Sequence, residues 1–223
     1  MTSDHEMSSQ ESEQTESKHP ISANQMRVDP SLRFSCLLTV DAISKSFGPT
    51  QALNSVSLSV QSGEVLALIG ENGAGKSTLL KVLSGAHRAD SGKMSIENRS
   101  YRPRGPKDAR AAGVAMIYQE LNLAPDLSVE DNLLLGHSNI GAGFLFRSKQ
   151  RQRVQDALNL VGLNSLSPTA IVGEQSVATQ QLLEISRALV SNANIILFDE
   201  PTSSLPQKDV QRLFEIIHRL KQQ

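Results

Sequence analysis

Tryptophan is absent from this chain, cysteine occurs once, and the other aromatic residues are six Phe and two Tyr among 223 residues. With Cys36 alone no disulfide can form within the chain, which fits a reducing compartment. No apolar run approaches the roughly 20 residues needed to cross a bilayer, so any membrane role would have to come through a partner. The first residues carry neither a basic region nor an apolar core, so no secretory leader is expected. Charge of either sign is also nearly balanced, with 22 Lys and Arg against 23 Asp and Glu. A formal net charge of -1 argues against binding nucleic acid through a broad basic surface. The length suits one large domain or two small ones with a sizeable core.

What the chain does have is a glycine loop, Gly70-Glu71-Asn72-Gly73-Ala74-Gly75-Lys76-Ser77-Thr78, which fits the phosphate-binding pattern G-x-x-x-x-G-K-S. Before it, Val65–Ile69 are apolar without alternation and read as a strand buried on both faces of a parallel sheet. After it, Leu79, Leu80, Val82 and Leu83 recur at helical spacing, with Gly85 as the closing cap. Strand, glycine loop and helix are the context that the motif needs. Gly73 and Gly75 put no side chain in the way of a phosphate, so backbone N–H groups can converge on its oxygens at the positive end of a helix. Lys76 would reach the β and γ phosphates of a nucleotide, and the Ser77 hydroxyl would ligate Mg2+. The bare pattern arises by chance in about one chain of this length in a hundred, and its flanks cut that further. A dinucleotide loop needs G-x-G-x-x-G, whereas Thr78 stands where the third glycine would fall.

Residues 1 to about 36 are rich in Ser, Glu and Gln and read as a disordered tail, in which His5 and His19 have no further metal ligands at suitable spacing. Leu38–Val40 and Val56–Val60 alternate, with Gln61–Gly63 as a turn, so a small antiparallel sheet is expected ahead of the glycine loop. Phe47 sits between those strands, where core packing and a ligand-stacking role are both open. Lys93–Ile96 reads as a hairpin arm after a Ser91–Gly92 turn. Val114–Tyr118 reads as a second buried strand, ending at Gln119 on the edge where open α/β sheets bind ligands. Helices follow: one over Val129–Leu135 capped by Ser128, one over Lys149–Val161 after a glycine-rich break, and one from Thr179 to Val190. Arg147, Lys149, Arg151 and Arg153 read as an ordinary solvated face. Ile195–Phe198 is a third buried strand, and the Asp199–Glu200 pair at its end needs a partner that packing alone does not supply. A Mg2+ ion supplies it: Asp199 would hold the metal opposite Ser77 through water, and Glu200 would take a proton from the attacking water. A last helix after Pro206 has an apolar stripe of Val210, Leu213, Phe214, Ile217 and Leu220, with His218 on its surface.

These motifs together resemble the ATP-binding subunit of an ABC transporter, from about residue 38 to residue 223. Within that family the stretches Gly70–Thr78 and Gln119-Glu120-Leu121-Asn122-Leu123-Ala124-Pro125 resemble the first nucleotide-binding domain of bacterial importers of ribose, galactose or xylose. The resemblance implies a P-loop NTPase core of RecA-like α/β type, with an N-terminal antiparallel β subdomain and the Walker A part of the core over residues 37–118. It also implies an inserted helical subdomain over 119–190 and a Walker B strand with its helix over 191–223. Gly70–Thr78 matches the Walker A loop, Ile195–Glu200 the Walker B strand, Gln119 the Q-loop residue that ligates the metal and senses the γ-phosphate, and Phe47 the aromatic that stacks on adenine. ATP and Mg2+ are the implied cofactors. Lys76, Gln119 and Glu200 are the implied catalytic groups, and Ser77, Gln119 and Asp199 the implied metal ligands.

The family's signature motif falls on Gln175–Gln181, where Ser176 would meet the γ-phosphate held by a second nucleotide-binding domain in a head-to-tail dimer. Gln175 and Ala178 depart from the usual Leu-Ser-Gly-Gly-Gln, and Pro206 replaces a common acidic residue. The implied partners are permease subunits and, indirectly, a sugar-binding protein, with the chain peripheral on the cytoplasmic face of the membrane. Relatives continue past this point with a further strand between the Walker A and Walker B strands and a switch histidine. The C-terminal part of the core is therefore expected to be missing, leaving a central gap in the sheet. The competing expectation is a truncated or degenerate nucleotide-binding module with little activity. A small-molecule kinase would not explain the stretch from Ser176 to Arg187 or the Asp199–Glu200 pair.

Overall fold

A long hairpin comes first among the described residues, β1 (Cys36–Phe47) with β2 (Thr50–Gln61), paired antiparallel from Cys36↔Gln61 to Phe47↔Thr50. The computed structural model describes residues 36–136, 143–203 and 205–222, and side chains over 37–136, 148–203 and 205–222. The tail, its two histidines, His137 and the Arg147 side chain lie outside these. The glycine loop leads into α1 (Lys76–Leu83), and β3 (Ser91–Ile96) and β4 (Arg99–Ser100) complete a sheet of order β2-β1-β3-β4. This is the antiparallel sheet that the alternating segments required. A short α2 (Pro106–Ala111) then leads to β5 (Val114–Ile117).

The helical part comprises α3 (Val129–Leu134), α4 (Gly143–Leu160) and α5 (Val177–Val190). Ser128 caps α3, its hydroxyl accepting from the Asp131 N–H, because the first-turn donors have no carbonyl of their own. The chain then returns through β6 (Ile195–Phe198), parallel to β5 with Ile117 opposite Phe198, and ends in α6 (Gln207–Lys221).

Two cores meet at the β5–β6 sheet. Val114, Ile195 and Leu197 join Leu38, Ile43, Leu79 and Val82 on one side. Ile117 joins Leu133, Val154, Leu158, Leu183 and Ile185 on the other, with Ile196 and Phe198 packed against them. Successive residues of a strand point to opposite faces, so a strand that divides two cores must be apolar throughout. That is why these two strands read as continuous runs.

Two expectations are corrected. Val65–Ile69 forms no strand among the described residues: it has no ladder partner, and Val65, Leu66 and Ile69 are 55%, 43% and 90% exposed. Neither β5 nor β6 bonds to it, and without a neighbouring strand an apolar run cannot be buried as one. On α6, Phe214 is 58% exposed while Ile216 is buried with Leu213, because the helix turns its 213, 216 and 220 side toward the helical core. Lys149, Arg151 and Arg153 are exposed, as a solvated face requires, and the Arg153 guanidinium also donates to the Val190 carbonyl at 2.8 Å and to Asn192 Oδ1 at 2.9 Å, closing the C-terminus of α5.

Candidate functional site

Gly73 and Gly75 hold the loop in left-handed conformations, φ 83° and 92°. At Gly75 a Cβ would stand 2.4 Å from the Ala52 carbonyl and 3.0 Å from Leu53 Cδ2, so only glycine lets the loop lie against β2. This contact sets the loop beside the β1–β2 hairpin, two residues from the level of Phe47 and Thr50. Gly75 is also the N-cap of α1, and no side chain fills the capping position. Among the described residues, the backbone N–H groups of Gly73, Gly75, Lys76, Ser77 and Thr78 donate to no protein acceptor. Five amides at the positive end of a helix, with no acidic side chain in the first turn, form a cradle for an anion. Lys76 Nζ lies within this loop, donating to the carbonyls of Gly70 at 2.7 Å and Glu71 at 2.9 Å. Asn72 and Glu71 are exposed on its outer side.

The acid pair comes to the same place from 122 residues away. Ser77 Oγ donates to Asp199 Oδ1 at 2.8 Å, and Asp199 is 9% exposed at the end of β6. Two of the three expected metal ligands therefore touch directly. A hydroxyl and a carboxylate are hard oxygen donors of the kind that would suit Mg2+, so Ser77 and Asp199 would be the residues to hold it. No cluster of three or more His, Cys, Asp or Glu exists among the described residues, so a cation here depends on the phosphates for its other ligands. Glu200 is exposed, and its φ of 49° places a non-glycine residue in the left-handed region, a strain of about 1 kcal/mol that is typical of functional turns. The Ser203 N–H and hydroxyl both donate to its carbonyl and hold that turn.

Gln119 is exposed two residues past the end of β5, next to the acid pair across the parallel strands. No hydrogen bond joins it to Ser77 or Asp199 among the described residues. Ser176 caps α5, accepting from the Thr179 N–H at 3.2 Å. Phe47 is 44% exposed, which removes the core-packing reading. Its ring stands edge-on to His87, with centroids 5.2 Å apart, and Lys45 Nζ lies 5.3 Å from its centre. Asp90 fixes this arrangement by accepting from Lys45 Nζ at 2.6 Å and from the Ser46 N–H at 2.7 Å; these bonds hold its carboxyl below the ordinary range.

Sequence reasoning gave no buried role to three polar residues, of which Gln181 entered only as the end of the signature motif. Asn132, fully buried, accepts from the Ala124 N–H and donates to the Ala124, Leu127 and Ser128 carbonyls. Glu184 and Gln181, 5% and 7% exposed, lie on the buried face of α5. The signal was present, since each interrupts an apolar stripe at helical spacing.

A family described as ABC transporter matches residues 53–203. The ribose import ATP-binding protein RbsA of Chromobacterium violaceum is 43% identical over 185 residues, which are 83% of this chain and 37% of the relative. The arabinose import ATP-binding protein AraG of Chromohalobacter salexigens is 47% identical over 184 residues, 82% of this chain and 37% of the relative. The chain thus spans a little over a third of the length of the curated relatives it matches. Among solved structures, the ADP conformation of an ATP-binding cassette of an ABC transporter superposes with a TM-score of 0.74 at 30% identity, covering 84% of this chain and 77% of that one. A nucleotide-free ATP-binding cassette gives 0.72 at 30% identity, covering 84% and 78%. The fold is the P-loop NTPase fold of those cassettes, and with two thirds of its length inside the family match the chain belongs to the ABC transporter family.

Proposed function

We propose that this chain is the ATP-binding part of a sugar importer, coupling the binding and hydrolysis of MgATP to movement of a membrane permease. The observation that carries it is the set of N–H groups at Gly73 and from Gly75 to Thr78 that donate to no acceptor among the described residues, with Lys76 among them and Ser77 bonded to Asp199. Those amides bind and orient a triphosphate, and Lys76 exchanges its two loop carbonyls for phosphate oxygens. Ser77 and Asp199 hold the cation, Phe47 offers its exposed ring to the adenine, and Glu200 accepts the proton of the attacking water. ATP supplies the phosphoanhydride, and Mg2+ neutralises the charge that develops on its oxygens. Gln119 senses the γ-phosphate, and Ser176 serves a second nucleotide-binding domain set head to tail.

No helix among the described residues is long and apolar enough to cross a membrane, which suits a peripheral subunit at the cytoplasmic face. The relatives are named for ribose and arabinose, so the cargo is a monosaccharide, delivered to the permease by a sugar-binding protein. Calorimetry with MgATP tests the reading. Lys76→Ala should weaken binding at least tenfold, while Glu200→Gln should keep binding and lower turnover by about 100-fold or more. An unchanged ATPase rate in Glu200→Gln overturns the role of that residue, and no binding by the unaltered protein overturns the function. Ala178 and Gln175 in the signature favour a second reading, a module that binds MgATP but barely hydrolyses it, which binding without turnover in the unaltered protein would select.

A further inference from the structure

The segment between β5 and α3 changes character at Asn122. Its first four residues, Tyr118–Leu121, make no backbone hydrogen bond to another element among the described residues. Ile117, just before them, is fixed: it pairs with Phe198, and its carbonyl accepts from the Asp199 N–H at 3.0 Å. From Asn122 on, side chains of the helical part take up the backbone. The Asn122 N–H donates to Glu184 Oε1 at 2.8 Å, and its carbonyl accepts from Arg187 Nη1 at 2.9 Å. Glu184 and Arg187 are themselves paired at 2.5 Å, one turn apart on α5. Both backbone groups of a single loop residue are thus held by one ion pair.

Packing alone does not explain an ionised carboxylate there. Glu184 is 5% exposed, and withdrawing such a group from water is costly even beside a cation. An apolar pair of the same volume would serve α5 as well or better. What it would not do is hold the Asn122 backbone. Without the pair the next anchor is Ala124, bonded on both sides by Asn132, and the free stretch would grow to Tyr118–Leu123. The other end of α5 carries Ser176, about 12 Å from Glu184 along the helix. Leu183 and Ile185, fully buried, bind α5 to α3 and α4, so the helix moves as a unit with them.

We propose that Glu184 and Arg187 are positioning residues that fasten the far end of a four-residue hinge, Tyr118–Leu121, to α5, so that a shift of Gln119 is passed to the Ser176 end of that helix. The transmission rests on the reading of Gln119 as the nucleotide sensor; the fastening does not. The shortness of the hinge matters, because a longer free stretch would absorb the movement of Gln119 in its own dihedrals.

Hydrogen exchange on the full-length protein tests both parts. Arg187→Ala is the direct variant. Glu184→Met/Arg187→Met leaves no buried charge unpaired and keeps the test open if the first fails to fold. In either, the Asn122 amide should exchange about tenfold faster or more, while residues 183–190 keep their protection. MgATP should protect residues 176–182 in the unaltered protein and lose that effect in the variants, with the Kd for MgATP changed less than twofold. An Asn122 amide that stays protected in both variants overturns the fastening, and protection of 176–182 that survives overturns the transmission. If the unaltered protein binds no MgATP, the proposed function falls, and the nucleotide-free exchange at Asn122 still decides the fastening.

Discussion

Val65–Ile69 and the buried stripe of α5 are equally aliphatic on paper, and they end in opposite environments. Leu183 and Ile185 are fully buried between α3 and α4, whereas Ile69 is 90% exposed. A helix satisfies its own backbone and needs only a face to bury, which the neighbouring helices provide. A strand needs neighbours for its backbone before its side chains can be covered, and Val65–Ile69 has none among the described residues. The glycine loop is consequently held from the hairpin side, through Gly75 against Ala52, and from Asp199 through Ser77.

The contrast is broken most directly by truncation at each place. Leu183→Ala should cost about 3 to 4 kcal/mol in denaturant unfolding, whereas Ile69→Ala should stay within about 0.5 kcal/mol. Equal losses would mean that Val65–Ile69 is covered in solution. Next in size is Gly75→Ala, which adds a methyl 2.4 Å from the Ala52 carbonyl at φ 92° and should cost at least about 2 kcal/mol. The same change at Gly73, whose Cβ would meet nothing within 4 Å, should cost about 1 kcal/mol from its backbone conformation alone. A thermal melt of the pair separates close contact from strain.

The smallest effect is a pH dependence. Burial raises the Glu184 carboxyl above its ordinary value, and the Arg187 charge, the Asn122 N–H and the Arg187 hydrogen bond only partly offset this. The folded chain therefore binds this proton more tightly than the unfolded one. The stability so gained is complete below the ordinary glutamate value of 4.5 and is lost as pH rises through the raised folded value. Glu184→Gln should flatten the stability profile over that window, as read by urea midpoints at successive pH values. An unchanged slope would show that the carboxyl is not shifted.

Much of the site was legible because local chemistry dictated it. Gly73, Gly75, Lys76 and Ser77 carry their meaning in their spacing, and Asp199 stood out as a charge at the end of an apolar run. The helices over α3, α4 and α5 followed from apolar period, with Ser128 marking one start, whereas the Ser176 cap and the start of α5 at Val177 came only from the structure. The exposed ring of Phe47 was not legible, since an aromatic between two strands reads equally as core. Nor were the bonds from Glu184, Arg187 and Asn132 to loop backbone, because nothing in a linear pattern says which carbonyl a buried side chain will meet.

By itself the sequence determined the elements and the phosphate-binding chemistry, since the period of apolar residues and the conformational freedom of two glycines act over a few positions. Only the tertiary structure decided that Ser77 meets Asp199, that Asn122 hangs from α5, and that Val65–Ile69 stays unpaired. Each of those depends on partners far along the chain, and whether a strand or a buried charge is satisfied is a property of its neighbours.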